Sequence, residues 1–132
     1  MGSGSTWQNW YAIPSSRKQA FAHPQNLDGQ LIAIEHIHSK RIVHRDVKPE
    51  NLFIDSDGHI VLGDFGLARK LTLGENTIPS DNMFGTPAYT PPEIFTGEPY
   101  GCEVDIWAFG VMLYELITGK VGIVPSNIRT EC

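Results

Sequence analysis

Between residues 103 and 118 the chain places Val104, Ile106, Trp107, Phe109, Val111, Met112, Leu113, Tyr114, Leu116 and Ile117, leaving no broad polar face on a helix. A surface helix keeps one solvated side, and a helix that is apolar all round is normally buried all round. This stretch is therefore expected at the centre of a core, with other elements wrapped around it. Gly119 supplies a helix stop. The few residues beyond it, Pro125 among them, offer little to cover such a helix, so the chain is expected to end before its core is complete. On this reading it folds poorly by itself and presents a sticky apolar surface.

With 132 residues there is room for one domain or a piece of one. Hydrophobic residues at 41% and charged residues at 19% lie in the globular range, away from compositions that stay disordered. The formal charge of −5 argues against a phosphate-backbone binder, so no nucleic acid partner is expected. Cys102 and Cys132 make neither a disulfide framework nor a CxxC metal pair, which fits a reducing, cytoplasmic setting. The longest apolar run, Ile106 to Tyr114, is less than half of what a bilayer requires, so no membrane span is expected. Met1-Gly2-Ser3-Gly4-Ser5-Thr6 fits an N-myristoylation pattern, and it also reads as a flexible Gly/Ser leader.

Residues 1–26 show no defensible period and read as an irregular leader. From Leu27 onward, Leu27, Leu31, Ile34 and Ile37 or His38 recur at three- and four-residue steps, predicting a helix that ends near Ser39-Lys40. Two strand-like runs follow, Asn51 to Ile54 and His59 to Leu62, joined through Asp57-Gly58 as a tight hairpin. Residues 66–92 collect Gly, Pro, Asn, Ser and Thr and read as a long functional loop. The central helix comes next, and residues 121–132 read as an irregular tail. The fold class is mainly α with a small β-hairpin.

The chemistry concentrates in His44-Arg45-Asp46-Val47-Lys48-Pro49-Glu50-Asn51. A carboxylate and an amide five residues apart can do two jobs. Asp46 can orient a hydroxyl and accept its proton, while Asn51 offers a neutral oxygen to a hard cation such as Mg²⁺. Asp64, in Asp64-Phe65-Gly66 at the end of the hairpin, adds a carboxylate that could bind the same metal.

These blocks, together with Gly85-Thr86-Pro87-Ala88-Tyr89-Thr90-Pro91-Pro92-Glu93 and Asp105-Ile106-Trp107-Ala108-Phe109-Gly110, come in the order and spacing of eukaryotic-type serine/threonine protein kinases, which the chain resembles over about residues 28 to 120. The resemblance implies a partial kinase domain over residues 27–120, the C-terminal, catalytic lobe of an α+β kinase fold. It implies transfer of the γ-phosphoryl group of ATP to Ser or Thr of a protein substrate, with ATP and Mg²⁺ as cofactors. Asp46 would be the catalytic base, Lys48 a cation near the phosphoryl group, and Asn51 and Asp64 the metal and nucleotide ligands. Lys48 two residues after Asp46 resembles the serine/threonine rather than the tyrosine group. His44 and Phe65 would be core contacts, Asp105 a structural residue, and Thr86 part of the floor under the acceptor. Glu50 would either pair with a basic substrate residue or be a solvated surface glutamate.

Residues 66–91 resemble an activation segment that ends near Glu93, with Thr72, Thr77 and Ser80 as candidate phosphorylation sites able to pair with Arg45. Asn82 stands where relatives carry the activating Thr or Ser, and Pro91 replaces the commoner Ala. Gly2-Ser3-Gly4-Ser5 lacks the spacing of a phosphate loop, and Lys18 lies too close to Asp46 to be the ATP-positioning lysine. The chain is thus expected to lack the ATP-binding lobe and to be inactive alone. The alternative is a non-catalytic kinase remnant, a protein-binding module that pairs with a second kinase chain through Phe109, Met112 and neighbouring apolar residues.

Overall fold

A computed structural model describes residues 11–12, 24–79 and 84–120. Its elements in chain order are β1 (Tyr11–Ala12), α1 (Pro24–Ser39), β2 (Ile42–Val43), β3 (Leu52–Ile54), β4 (Ile60–Leu62), β5 (Arg69–Lys70), α2 (Pro92–Phe95) and α3 (Glu103–Thr118), with tight 3₁₀ turns at Pro49–Asn51 and Pro87–Tyr89. Two small antiparallel sheets form, β1-β3-β4 and β2-β5.

The hairpin is built as its turn residues require. Gly58 takes φ +85°, and the Asp55 carboxylate accepts the amides of Asp57 and His59, closing the turn that brings Leu52 opposite Leu62. The pairing is shorter than expected, because Asn51 belongs to the preceding turn and His59 to the loop. Tyr11 and Ala12, inside the stretch read as irregular, pair with Ile54 and Phe53 on the outer edge of β3. A strand of two residues carries no period of its own, and here the partner's edge defines it.

Helix α1 begins at Pro24, earlier than the apolar rhythm suggests, since proline is well tolerated in a first helical turn. Its inner face carries Gln30, Ile34 and Ile37, while Leu31 points outward at 42% exposure. The helix is therefore rotated by about one position from the apolar pattern at its start.

Helix α3 runs from Glu103 to Thr118 and stops at Gly119, whose φ of +72° suits the residue without a Cβ. Its inner side, with Ala108, Phe109, Met112 and Leu116, joins Ile34, Ile37, Val47, Leu52, Leu62 and Tyr89 in the larger core cluster. Burying an apolar side chain of this size contributes about 1.5–3 kcal/mol. The helix is not buried all round: Ile106, Trp107, Tyr114 and Ile117 are 47–60% exposed. Phe109 and Met112 are buried, so the docking surface expected on them is not available, and the open side is the other one. A smaller cluster of Val43, Leu71, Ile78, Ile94, Tyr100 and Val104 ties the region after β5 to the start of α3.

Candidate active site

The first turn of an apolar helix is an unusual place for a carboxylate with 1% exposure, yet Asp105 sits there. Its Oδ1 accepts the backbone amide of Arg45 at 2.9 Å, and its Oδ2 accepts the amide of His44 at 2.8 Å and bonds His38 Nε2 at 2.7 Å. Three donors converge on one buried charge, so its desolvation is offset by charge-assisted bonds. The consequence is positional, because the loop from His44 to Asn51 hangs from the central helix.

His44 extends the anchorage toward the hairpin. Its Nδ1 accepts the amide of Asp46 at 3.1 Å, which leaves Nε2 as the protonated nitrogen that donates to Gly63 O at 2.8 Å. Gly63 N in turn donates to Asn51 O, so Asp64 follows directly from a residue held by both ends of the loop. Phe65 meets the His44 ring edge-on at 4.9 Å, as expected for contacting residues, but Phe65 is 46% exposed and does not enter the core.

Asp46 projects from this loop with both oxygens engaged. Asn51 Nδ2 donates to Asp46 O at 2.7 Å and to its Oδ2 at 3.1 Å. On the other side, Lys48 Nζ donates to Thr86 Oγ1 at 2.8 Å, and Thr86 Oγ1 donates to Asp46 Oδ1 at 3.3 Å; Lys48 Nζ lies 3.6 Å from the same oxygen. The structure thus brings Asp46, Lys48, Asn51 and Thr86 together, the last from about 40 residues away. With its amide nitrogen committed, Asn51 has its carbonyl oxygen left to offer, and that oxygen has no hydrogen-bond partner among the described residues. Asp64 is exposed, and among the described residues its carboxylate receives a single 3.3 Å contact, from Gly66 N. Both are hard oxygen donors of the kind Mg²⁺ takes.

Gly85 makes the approach of Thr86 possible. It has φ +74°, and a Cβ there would lie 2.7 Å from Arg45 O. No residue with a side chain fits without moving the loop that carries Asp46. The sequence reading quoted this glycine as the start of a motif block and gave it no role of its own, because the close approach to Arg45 O is visible only in the fold.

Arg45 adopts φ +69°, an uncommon conformation for a residue with a Cβ. Its Nε donates to Leu67 O at 2.6 Å, its Nη1 to Tyr100 Oη at 3.0 Å, and its guanidinium lies 4.7 Å from the Phe84 ring centroid. Tyr100 exchanges both backbone bonds with Ile78. Arg41 Nη2 donates to the backbone carbonyl of Thr72 at 2.9 Å. Thr77 is exposed beside Ile78, and Ser80 lies outside the described residues. Glu93, half-buried, borders a groove of about 880 Å³ on the open side of α3, together with Trp107, Gly110 and Tyr114. Beneath it, the Tyr89 hydroxyl donates to the buried carboxylate of Glu115; burial and then Glu115 push that phenol well above the ordinary tyrosine range.

The family model of the protein kinase domain matches residues 22–130. Among curated relatives, "Protein kinase 2" of Dictyostelium discoideum is 43% identical over 98 residues, 74% of this chain and 20% of the relative. The "cGMP-dependent protein kinase" of Plasmodium berghei (strain Anka) is 47% identical over 106 residues, 80% of this chain and 11% of the relative. The "Serine/threonine-protein kinase AtPK1/AtPK6" of Arabidopsis thaliana is 49% identical over 99 residues, 75% of this chain and 21% of the relative. The chain belongs to the protein kinase domain family and is a fragment of a kinase domain, with helices and small antiparallel sheets consistent with a partial kinase fold. It spans about a fifth or less of the length of these relatives. Among the described residues, no helix is long and apolar enough to cross a membrane.

Proposed function

We propose that this chain carries the phosphoryl-transfer site of a serine/threonine protein kinase, and that its elements belong to the C-terminal, catalytic lobe. One observation supports this above the others: the Asp46 carboxylate is oriented on one side by Asn51 and on the other by Thr86 and Lys48. A carboxylate fixed in this way and 13% exposed can accept the proton of a Ser or Thr hydroxyl as that oxygen attacks the γ-phosphorus of ATP. Lys48, held by Thr86, supplies positive charge where the transferred group gains negative charge. Thr86 both relays this cation to Asp46 and shapes the floor below the acceptor.

Asn51 Oδ1 and the Asp64 carboxylate would hold Mg²⁺, which when bound neutralises phosphate charge. Asp105 and His44 act through the backbone, keeping Asp46, Asn51 and Asp64 in register. Relatives named as serine/threonine kinases, together with Lys48, support Ser or Thr of a protein as the acceptor.

The test is phosphoryl transfer from Mg²⁺-ATP to a Ser/Thr peptide pool by the full chain, beside calorimetric titration with Mg²⁺-ATP. In place of the inactivity expected from sequence, the ordered Asp46 site leads us to expect measurable transfer, which Asp46→Asn lowers about 10²–10⁴-fold, and a binding heat that Asp64→Ala abolishes. Transfer indifferent to Asp46→Asn, or no nucleotide binding by a folded chain, refutes the proposal for this chain.

A further inference from the structure

Arg41 and Arg45 stand on either side of β2, each half-buried and each at positive φ, +61° and +69°. That conformation is uncommon for a residue with a Cβ, and both side chains reach into the segment that follows Gly66. Arg45 Nε takes the carbonyl of Leu67. Arg41 takes three: Nε donates to Leu71 O at 3.3 Å, and Nη2 donates to Thr72 O at 2.9 Å and to Glu75 O. Its own carbonyl accepts the Leu71 amide at 2.7 Å. The turn so held is closed by Glu75 N on Thr72 O at 3.0 Å and by Glu75 Oε2, which accepts the Thr72 amide at 2.8 Å. The bonds from Thr72 keep that carboxyl below the ordinary glutamate range. A run of direct contacts leads from this turn to Asp46. Leu71 and Ile78, before and after the turn, are buried with Tyr100 and Val104. Ile78 exchanges both backbone bonds with Tyr100, whose ring lies 4.8 Å from that of Phe84. Phe84 immediately precedes Gly85 and Thr86, and Thr86 Oγ1 donates to Asp46 Oδ1.

We infer that Arg41 is a positioning residue for the acceptor side of the site: by clamping Leu71, Thr72 and Glu75 it fixes the Ile78–Tyr100 pairing against which Phe84 packs, and through Phe84 the place of Thr86 beside Asp46 and Lys48. Arg41 itself touches none of these last three. Its three acceptors are main-chain oxygens, so the clamp sets the course of the backbone whatever side chains the turn carries. Carbonyls converging on one guanidinium use a planar fork of fixed donors, which the point charge of a lysine does not reproduce. Without the guanidinium these oxygens take water instead, and the turn is free to swing outward. Glycine would adopt the left-handed conformation at position 41 with less strain, and the clamp is what arginine supplies in exchange for that strain. The effect of Arg41 on phosphoryl transfer rests on the activity proposed for Asp46, whereas its hold on the Ile78–Tyr100 pairing does not.

Two measurements on the full chain test it, each with two variants. Arg41→Gly suits the backbone and removes the clamp; Arg41→Lys keeps the charge and removes the fork. In both, amide hydrogen exchange is expected to quicken at Ile78 and Tyr100 and to stay at the parent rate at Gly63, whose amide bonds Asn51 O. Unchanged exchange at Ile78 and Tyr100 overturns the inference. So does equal acceleration at Gly63, which makes Arg41 a general support of the fold, and so does full parental protection in Arg41→Lys. In the second measurement, kcat/KM for a Ser/Thr peptide is expected to fall about 2- to 30-fold in both variants, while the Mg²⁺-ATP binding heat stays that of the parent, because Asn51 and Asp64 are held from Asp105 and His44. An unchanged kcat/KM, or an equal loss of nucleotide binding, overturns the acceptor-side role. A parent chain that transfers no phosphate refutes the activity proposed for Asp46 and leaves the exchange rates to decide on Arg41.

Discussion

Gly85 and Gly97 form a natural pair for separating backbone strain from steric exclusion. Both hold positive φ, +74° and +76°, but an added Cβ meets nothing within 4 Å at Gly97 and lies 2.7 Å from Arg45 O at Gly85. Alanine at either position bears the left-handed penalty of about 1–2 kcal/mol. At Gly85 the backbone oxygen must also retreat by several tenths of an ångström, although the adjoining amides of His44 and Arg45 are fixed on Asp105. Overpacking of that kind costs about 1–3 kcal/mol more. Gly97→Ala should therefore lose about 1–2 kcal/mol and Gly85→Ala about 2–5 kcal/mol. The assay is urea unfolding of the full chain followed by far-UV circular dichroism, comparing midpoints at a common slope. Phosphoryl transfer should fall further in Gly85→Ala, because Thr86 moves off Asp46 and Lys48. Equal destabilisation of the two variants would show that the 2.7 Å approach does not constrain the loop, and would refute the argument.

Asp105→Asn replaces an acceptor facing three donors with an amide that turns a hydrogen toward one of them; a loss of about 2–4 kcal/mol is expected in the same urea assay. Met112→Ala, at a fully buried site, should lose about 2–5 kcal/mol, whereas Ile117→Ser, at a site 60% exposed, should lose under about 1 kcal/mol, a contrast readable from melting temperatures. The turn at Thr72 should loosen in acid. With the Glu75 pKa lowered by folding, its contribution is complete above the ordinary glutamate value of about 4.3 and is lost as pH falls through the folded value. Limited proteolysis at residues 69–76 by an acid-active protease should therefore accelerate below about pH 4, more in the parent chain than in Glu75→Gln.

The elements legible in sequence were those whose signal is local. Helix α3 could be read because its apolar run is long and Gly119 ends it, and the hairpin because Asp57-Gly58 demands one particular turn. The residues from His44 to Asn51 stood out because they come in order and at fixed spacing with three further motif blocks, an agreement that no single short motif carries. What escaped was set by partners distant in sequence. The strand at Tyr11 exists only through the edge of β3, and the choice between Gln30 and Leu31 for the inner face of α1 depends on what packs against it. The Thr86–Lys48 contact spans 38 residues and depends on a glycine whose need appears only when Arg45 O is in place. Arg41 carried no motif at all, since its partners are carbonyl groups, which every residue has.

The bonds from Asp105 to the amides of His44 and Arg45 have a consequence for how the site moves. A loop ordinarily opens by local fluctuations that leave the rest of the fold intact. Here two consecutive loop amides end on a carboxylate carried by the most deeply embedded helix, so neither can be released to water without disturbing that helix. Their exchange with deuterium should follow the slow, cooperative opening of the core rather than the fast breathing of a surface turn. The loop from His44 to Asn51 would then belong, in dynamic terms, to the same folding unit as Met112 and Leu116.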